Sequence, residues 1–145
     1  MTRLFVIATA LMFTASCDAY ADCGAHPFST WQKEDGTQIG LVATDADLAR
    51  DPAWTPGRGE PPISPGRAYE FAQTWARANW KRYDSFALES VELRALGCDL
   101  SKRKWVYVVS LAPVIDGNRL FGGDYSLGVL MDGSIIAPRP VKKDF

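Results

Sequence analysis

Ser64–Tyr83 reads SPGRAYEFAQTWARANWKRY, and the fold turns on how this stretch is interpreted. Ser64 suits an N-cap, because its hydroxyl can accept a hydrogen bond from an unpaired amide of the first turn. Pro65 follows at N1, where its missing N–H costs nothing and its fixed φ fits the helix. At about 100° per residue, Ala68, Tyr69, Phe71, Ala72, Trp75, Ala76, Ala78, Trp80 and Tyr83 share one broad arc. Glu70, Gln73, Thr74, Arg77 and Lys81 take the opposite arc. The spacing predicts one amphipathic helix over the whole stretch, with a wide buried face. Each large aromatic buried there would contribute about 1.5–3 kcal/mol. Asn79 falls within the apolar arc, where a buried amide bonded to strand backbone is expected ahead of a ligand contact. Arg82, on the border, is expected to snorkel outward. Tyr69, Trp75, Trp80 and Tyr83 read as core before they read as the lining of a ligand cavity.

Beyond the helix the pattern changes to strand. Asp84-Ser85 marks a turn. Phe86–Leu96 alternates around Val91, Leu93 and Ala95, with Glu92 and Arg94 facing water. Lys104–Ala112 is nearly continuous in apolar and β-branched residues, which suits a central strand covered on both faces. Pro113 ends it, and Asp116–Asp124 reads as a Gly-rich loop. Tyr125–Met131 and Ser134–Ala137 are strands joined by the tight-turn pair Asp132-Gly133. Pro138 and Pro140 end the sheet, and Lys142-Lys143 blunts its edge. The expected class is α+β: one long helix on a four-stranded antiparallel meander, with Trp75 and Trp80 buried against Trp105 or Tyr107.

Upstream, residues 51–63 form a linker whose prolines and glycines exclude helix and central strand. Trp54 within it is expected to latch onto the domain, with contact to a partner as the alternative. Residues 22–50 form an N-terminal arm. There Asp35-Gly36 suggests a short hairpin between Trp31-Gln32-Lys33 and Gln38–Thr44, and Asp45–Arg50 suggests one helical turn. The domain proper runs over 64–140, with a tail at 141–145. Residues 1–21 read as a bacterial signal peptide. Arg3 precedes the apolar run Leu4–Phe13, and Ala19-Tyr20-Ala21 offers a cleavage site. The run is too short to anchor in a bilayer, and no second apolar run long enough to cross a membrane follows. The alternative is a lipoprotein anchored through Cys17 of Thr14-Ala15-Ser16-Cys17. Periplasmic or secreted placement is expected, with membrane anchoring as its rival.

Either reading leaves Cys23 and Cys98 in an oxidising compartment, where a disulfide between them is expected. It would close a loop of about 75 residues, a constraint worth about 4 kcal/mol. The rival, a zinc site, has only His26 to complete it.

The chain has 145 residues and a formal charge of −1, enough for one domain and without the basic surplus that nucleic acid demands. Its longest charge run is Lys102-Arg103-Lys104. Familiar catalytic sets are missing. His26 is the single histidine, beside Pro27, which leaves no triad or dyad. No phosphate-binding glycine motif is present. Asp45, Asp47 and Asp51 make a small acidic cluster that reads as a solvated turn, because no loop completes a calcium ligand set. Glu89 and Glu92 could form a carboxylate pair, but three residues apart on a strand they point to opposite faces unless a bulge intervenes. No catalytic residue, metal ligand or cofactor is assigned. The candidate binding surface is Asn118, Arg119, Leu120 and Phe121, in DGNRLFGGD: an apolar pair in a polar, Gly-rich loop. Its rival folds Leu120 and Phe121 back onto the sheet.

The order of Ile63-Ser64-Pro65, Trp105-Val106-Tyr107-Val108, Gly122-Gly123 and Val129-Leu130-Met131-Asp132-Gly133-Ser134-Ile135-Ile136 resembles small exported α+β domains of the PepSY and cystatin-like kind. It is also similar to the NTF2-fold immunity proteins that neutralise bacterial toxins. The likeness covers residues 63–138, and its motifs recur in many folds. It implies a binding or inhibitory module acting on a protein of the cell envelope rather than an enzyme. The alternative is a periplasmic carrier of a small molecule or lipid, with the helix aromatics lining its pocket.

Overall fold

The computed structural model describes residues 27–97, 103–122 and 124–142. The expected signal peptide (residues 1–21), Cys17, Cys23, Cys98 and His26 lie outside the described residues.

Among the described residues the chain is mostly β, with two sheets and two short helices, and this overturns the expected long helix on a four-stranded meander. Its elements are β1 (Ser29–Gln32), β2 (Gln38–Leu41), α1 (Asp45–Arg50), α2 (Pro65–Asn79), β3 (Ser85–Leu96), β4 (Lys104–Ile115), β5 (Asn118–Arg119), β6 (Tyr125–Leu130), β7 (Ile135–Ile136) and β8 (Arg139–Pro140). One sheet has the order β1-β2-β8. The other has the order β3-β4-β6-β7, with β5 added to β4.

The helix is shorter than its apolar arc because tertiary contacts claim its end. α2 starts as Ser64 caps it, the hydroxyl accepting the Arg67 amide at 3.2 Å. It stops at Asn79, and Trp80 leaves helical geometry. The Trp80 ring instead meets Trp75, Phe86 and Tyr125 at centroid distances of 5.2, 5.6 and 5.2 Å. The buried face is also narrower than expected. Only Ala68, Ala72 and Ala76 are buried, a small-residue ridge that lets the helix approach Tyr107, Val109, Leu111, Leu127 and Val129 closely. Trp75 and Trp80 are half-buried: they meet each other edge-on and pack against the margin of that core. Asn79 is exposed and donates to the Trp75 carbonyl one turn back at 2.8 Å, so the expected buried amide is corrected.

β4 explains the two cores. Its odd residues Tyr107, Val109 and Leu111 join the core under α2. Its even residues Val106 and Val108 join a second core with Leu41, Ala43, Leu96, Leu130 and Ile136, onto which Phe28, Trp31 and Leu48 pack. The arm, folded as the β1–β2 hairpin, thus belongs to the packing of the other face. The C-terminal stretch closes that small sheet. Ile39 pairs with Pro140, Gly40 with Arg139, and the Val141 amide donates to the Gln38 carbonyl at 3.0 Å. Pro140 is tolerated because β8 is an edge strand. The 51–63 linker lies against β4 of the five-stranded sheet. Trp54 meets Trp105 edge-on at 6.4 Å, and the Tyr107 hydroxyl donates to the Ile63 carbonyl at 3.2 Å.

Candidate functional site

The segment read as a loop over Asp116–Asp124 begins as a hairpin. Ile115 pairs with Asn118 and Val114 with Arg119, which leaves Asp116-Gly117 as a two-residue turn. Both residues have positive φ, 50° and 73°, as the primed turns that match strand twist require. The Asp116 amide donates to Asp84 Oδ2 at 2.7 Å, tying the turn to the end of the α2–β3 connection. The Leu120 amide donates to the Pro113 carbonyl at 2.8 Å, so hairpin order persists one residue past β5.

These bonds place the four candidate residues. Asn118 and Arg119 are exposed, and the Asn118 amide group donates back to the Asp116 carbonyl at 3.2 Å. The Arg119 guanidinium binds Glu89 at 2.9 Å and lies 5.7 Å from the Phe121 ring centroid. Glu89 is the extra residue of the bulge between Leu88 and Ser90 on β3. Both members of the ion pair are well exposed, so the pair adds at most about 1 kcal/mol of stability. Its larger effect is to hold the guanidinium beside Phe121. Leu120 is 39% exposed and Phe121 83% exposed. Phe121 therefore stands clear of the sheet, on a backbone that is fixed up to its neighbour.

Among the other carboxylates, Glu92 and Asp47 are engaged by neighbours. Glu92 binds Arg94 at 2.7 Å, so both members of the Glu89/Glu92 pair are engaged by arginines. Asp47 and Thr44 form a capping box at the start of α1, and Asp47 also binds Arg50 at 2.8 Å. Asp51 departs from the expected solvated cluster: it is 3% exposed, the one buried charged residue among those described. Its Oδ1 accepts the Met131 amide at 2.7 Å, while Oδ2 has no partner among the described residues. Lys104 donates its ammonium to the Asp51 main-chain carbonyl. Burial pushes the Asp51 carboxyl above its usual range, against the pull of the Met131 amide and Lys104. Nothing local in the sequence marks this residue, since its partner lies 80 positions away.

Arg82 does not simply snorkel. It donates to the Tyr125 hydroxyl at 2.8 Å and covers the Tyr83 ring at 4.6 Å, while the Tyr83 and Tyr125 hydroxyls bond each other. Burial, then the bond with Tyr125, raises the Tyr83 phenol above its ordinary value. Among the described residues, no group of three or more histidine, cysteine or acidic side chains is placed to hold a metal ion. Among the same residues no helix is long and apolar enough to cross a membrane. The chain matches no family model, no curated protein and no solved structure.

Proposed function

We propose that this chain is an exported, non-enzymatic module that docks onto a protein of the cell envelope through the flank of the β4–β5 hairpin and so inhibits it. The observation that carries this reading is Phe121. Its ring is 83% exposed, so it has apolar area left to bury against a partner. Here it is flanked by Leu120 and by an arginine held in place by Glu89. Aromatic and arginine side chains dominate the energetics of protein interfaces. The leader-like segment 1–21 supports export, and with it the Cys23–Cys98 disulfide. Between α2 and the sheet, the alanine ridge shares one buried core with Leu111, Leu127 and Val129, which favours docking over the carriage of a ligand.

The test is affinity capture from the native envelope on immobilised protein, comparing wild type with Phe121→Ala and with Lys33→Ala, an exposed site on the β1–β2 turn. A specific partner should be retained by wild type and by Lys33→Ala. Truncating Phe121 should weaken that retention by about 2 kcal/mol, the scale of an interface anchor. Equal retention by all three proteins would remove the hairpin flank from the interface.

A further inference from the structure

β3 is the long outer strand of the five-stranded sheet. It pairs with β4 along one side, and among the described residues no strand lies along the other. Two features bound its regular part. The bulge between Leu88 and Ser90 breaks the register at one end, and Gly97, at φ 87°, turns the chain away at the other. The run between them is Ser90–Leu96, and its midpoint is Leu93. Val91, Leu93 and Ala95 stand opposite Val109, Tyr107 and Trp105, so they share the face that carries α2. Glu92 and Arg94 stand on the other face, flank the midpoint and bind each other at 2.7 Å. Leu93 is 37% exposed, although its cross-strand neighbour Tyr107 is buried.

We propose that Ser90–Leu96 is a homodimerisation edge, two copies of this chain pairing β3 to β3 in antiparallel fashion about a twofold axis at Leu93. A twofold axis normal to the sheet keeps each face continuous, so only residues of one face meet across it. In this register Leu93 covers Leu93 of the second copy, Val91 meets Ala95, and Glu92 meets Arg94 twice. Opposite charges directly across a strand pair are favourable and like charges are not. Sliding by one pleat in either direction sets Glu92 against Glu92 or Arg94 against Arg94, so the charges select the central register. The bulge and Gly97 restrict the pairing to seven residues. The sheet's far edge is β7, only two residues long, so the dimer closes instead of growing into a fibre.

Sedimentation velocity over a concentration series on the full chain tests this, with Glu92→Arg, Arg94→Glu and an equimolar mixture of the two variants. Wild type should dimerise in a concentration-dependent way. Each single variant sets like charges across the axis at two places and should raise the dimer dissociation constant about tenfold. The mixture should recover a heterodimer, because one chain then carries two arginines and the other two glutamates. Arg94 also donates to the Phe28 carbonyl at 2.9 Å, so Arg94→Glu could unfold for that reason alone. In that case Leu93→Arg, at an exposed position, must abolish the dimer. A monomeric wild type at every concentration, a Glu92→Arg dimer as tight as wild type, or a dimer that survives Leu93→Arg would overturn the proposal.

Discussion

Asp51 concentrates more unusual physics than any other side chain of the described molecule. One carboxylate oxygen satisfies the Met131 amide, and the other is buried without a partner among the described residues. Removing the side chain strands that amide, so Asp51→Ala should cost about 1–3 kcal/mol. Asp51→Asn keeps the acceptor and should cost less. The pH response follows from the direction of the shift. Burial raises the folded-state pKa above 3.8, its ordinary value. The folded protein then holds this proton to higher pH than the unfolded chain does. The stabilisation is complete below the ordinary value and is lost as pH rises through the folded value. Thermal melts across that window should show wild type losing stability relative to Asp51→Asn as pH increases. Parallel profiles would mean that the carboxyl titrates as an exposed group.

At the scale of elements, the chain is held by close approaches of backbone to aromatic rings. Gly128 on β6 is such a place. A Cβ there would lie 2.9 Å from the Phe28 ring and 3.1 Å from the Ile136 Cβ. The ring of the N-terminal arm thus rests directly on the sheet, in the second core. Gly128→Ala should cost about 1–3 kcal/mol through overpacking, and it should loosen the arm first. Limited proteolysis should cut near Phe28 sooner in the variant than in wild type, and an unchanged pattern would show that the arm does not rest there. Several elements were legible from local chemistry alone. Ser64-Pro65 marks the start of α2, Asp132-Gly133 sits at the β6–β7 turn, and Asp35-Gly36 lies in the β1–β2 turn. The end of α2 was not legible, because the apolar arc continues through Trp80 and Tyr83 in sequence. Contacts with Phe86 and Tyr125 decide their conformation instead, and those partners lie in other elements.

At the scale of the molecule, the fold class could not be read from the helix, because pairings between distant segments determine it. β2 joins β8 across about a hundred residues, and β8 carries a proline that reads locally as a stop. The candidate site was half legible. Leu120-Phe121 in a polar loop was visible as an anchor-like pair. The Glu89 bulge that fixes Arg119 beside it was not, since a bulge leaves no fixed trace in side-chain alternation. The proposed disulfide likewise joins segments far apart in sequence. The Arg94–Phe28 hydrogen bond brings together points four residues before Cys98 and five residues after Cys23. Spans of four and five residues at up to about 3.3–3.6 Å each can close such a gap. With the crosslink formed, the intact mass of the protein isolated from cells should lie two hydrogens below that of the reduced form, and reduction should cost about 4 kcal/mol of stability. Two free thiols in the protein isolated from an oxidising compartment would rule the crosslink out.

A photo-crosslinking aromatic amino acid placed at position 121 in the native cell asks whether the Phe121 flank meets a partner protein. A discrete crosslinked species with one envelope protein is expected from position 121, and none from the same probe at the exposed helix position Thr74. No adduct from position 121, or the same adducts from both positions, would show that the flank is not the docking surface.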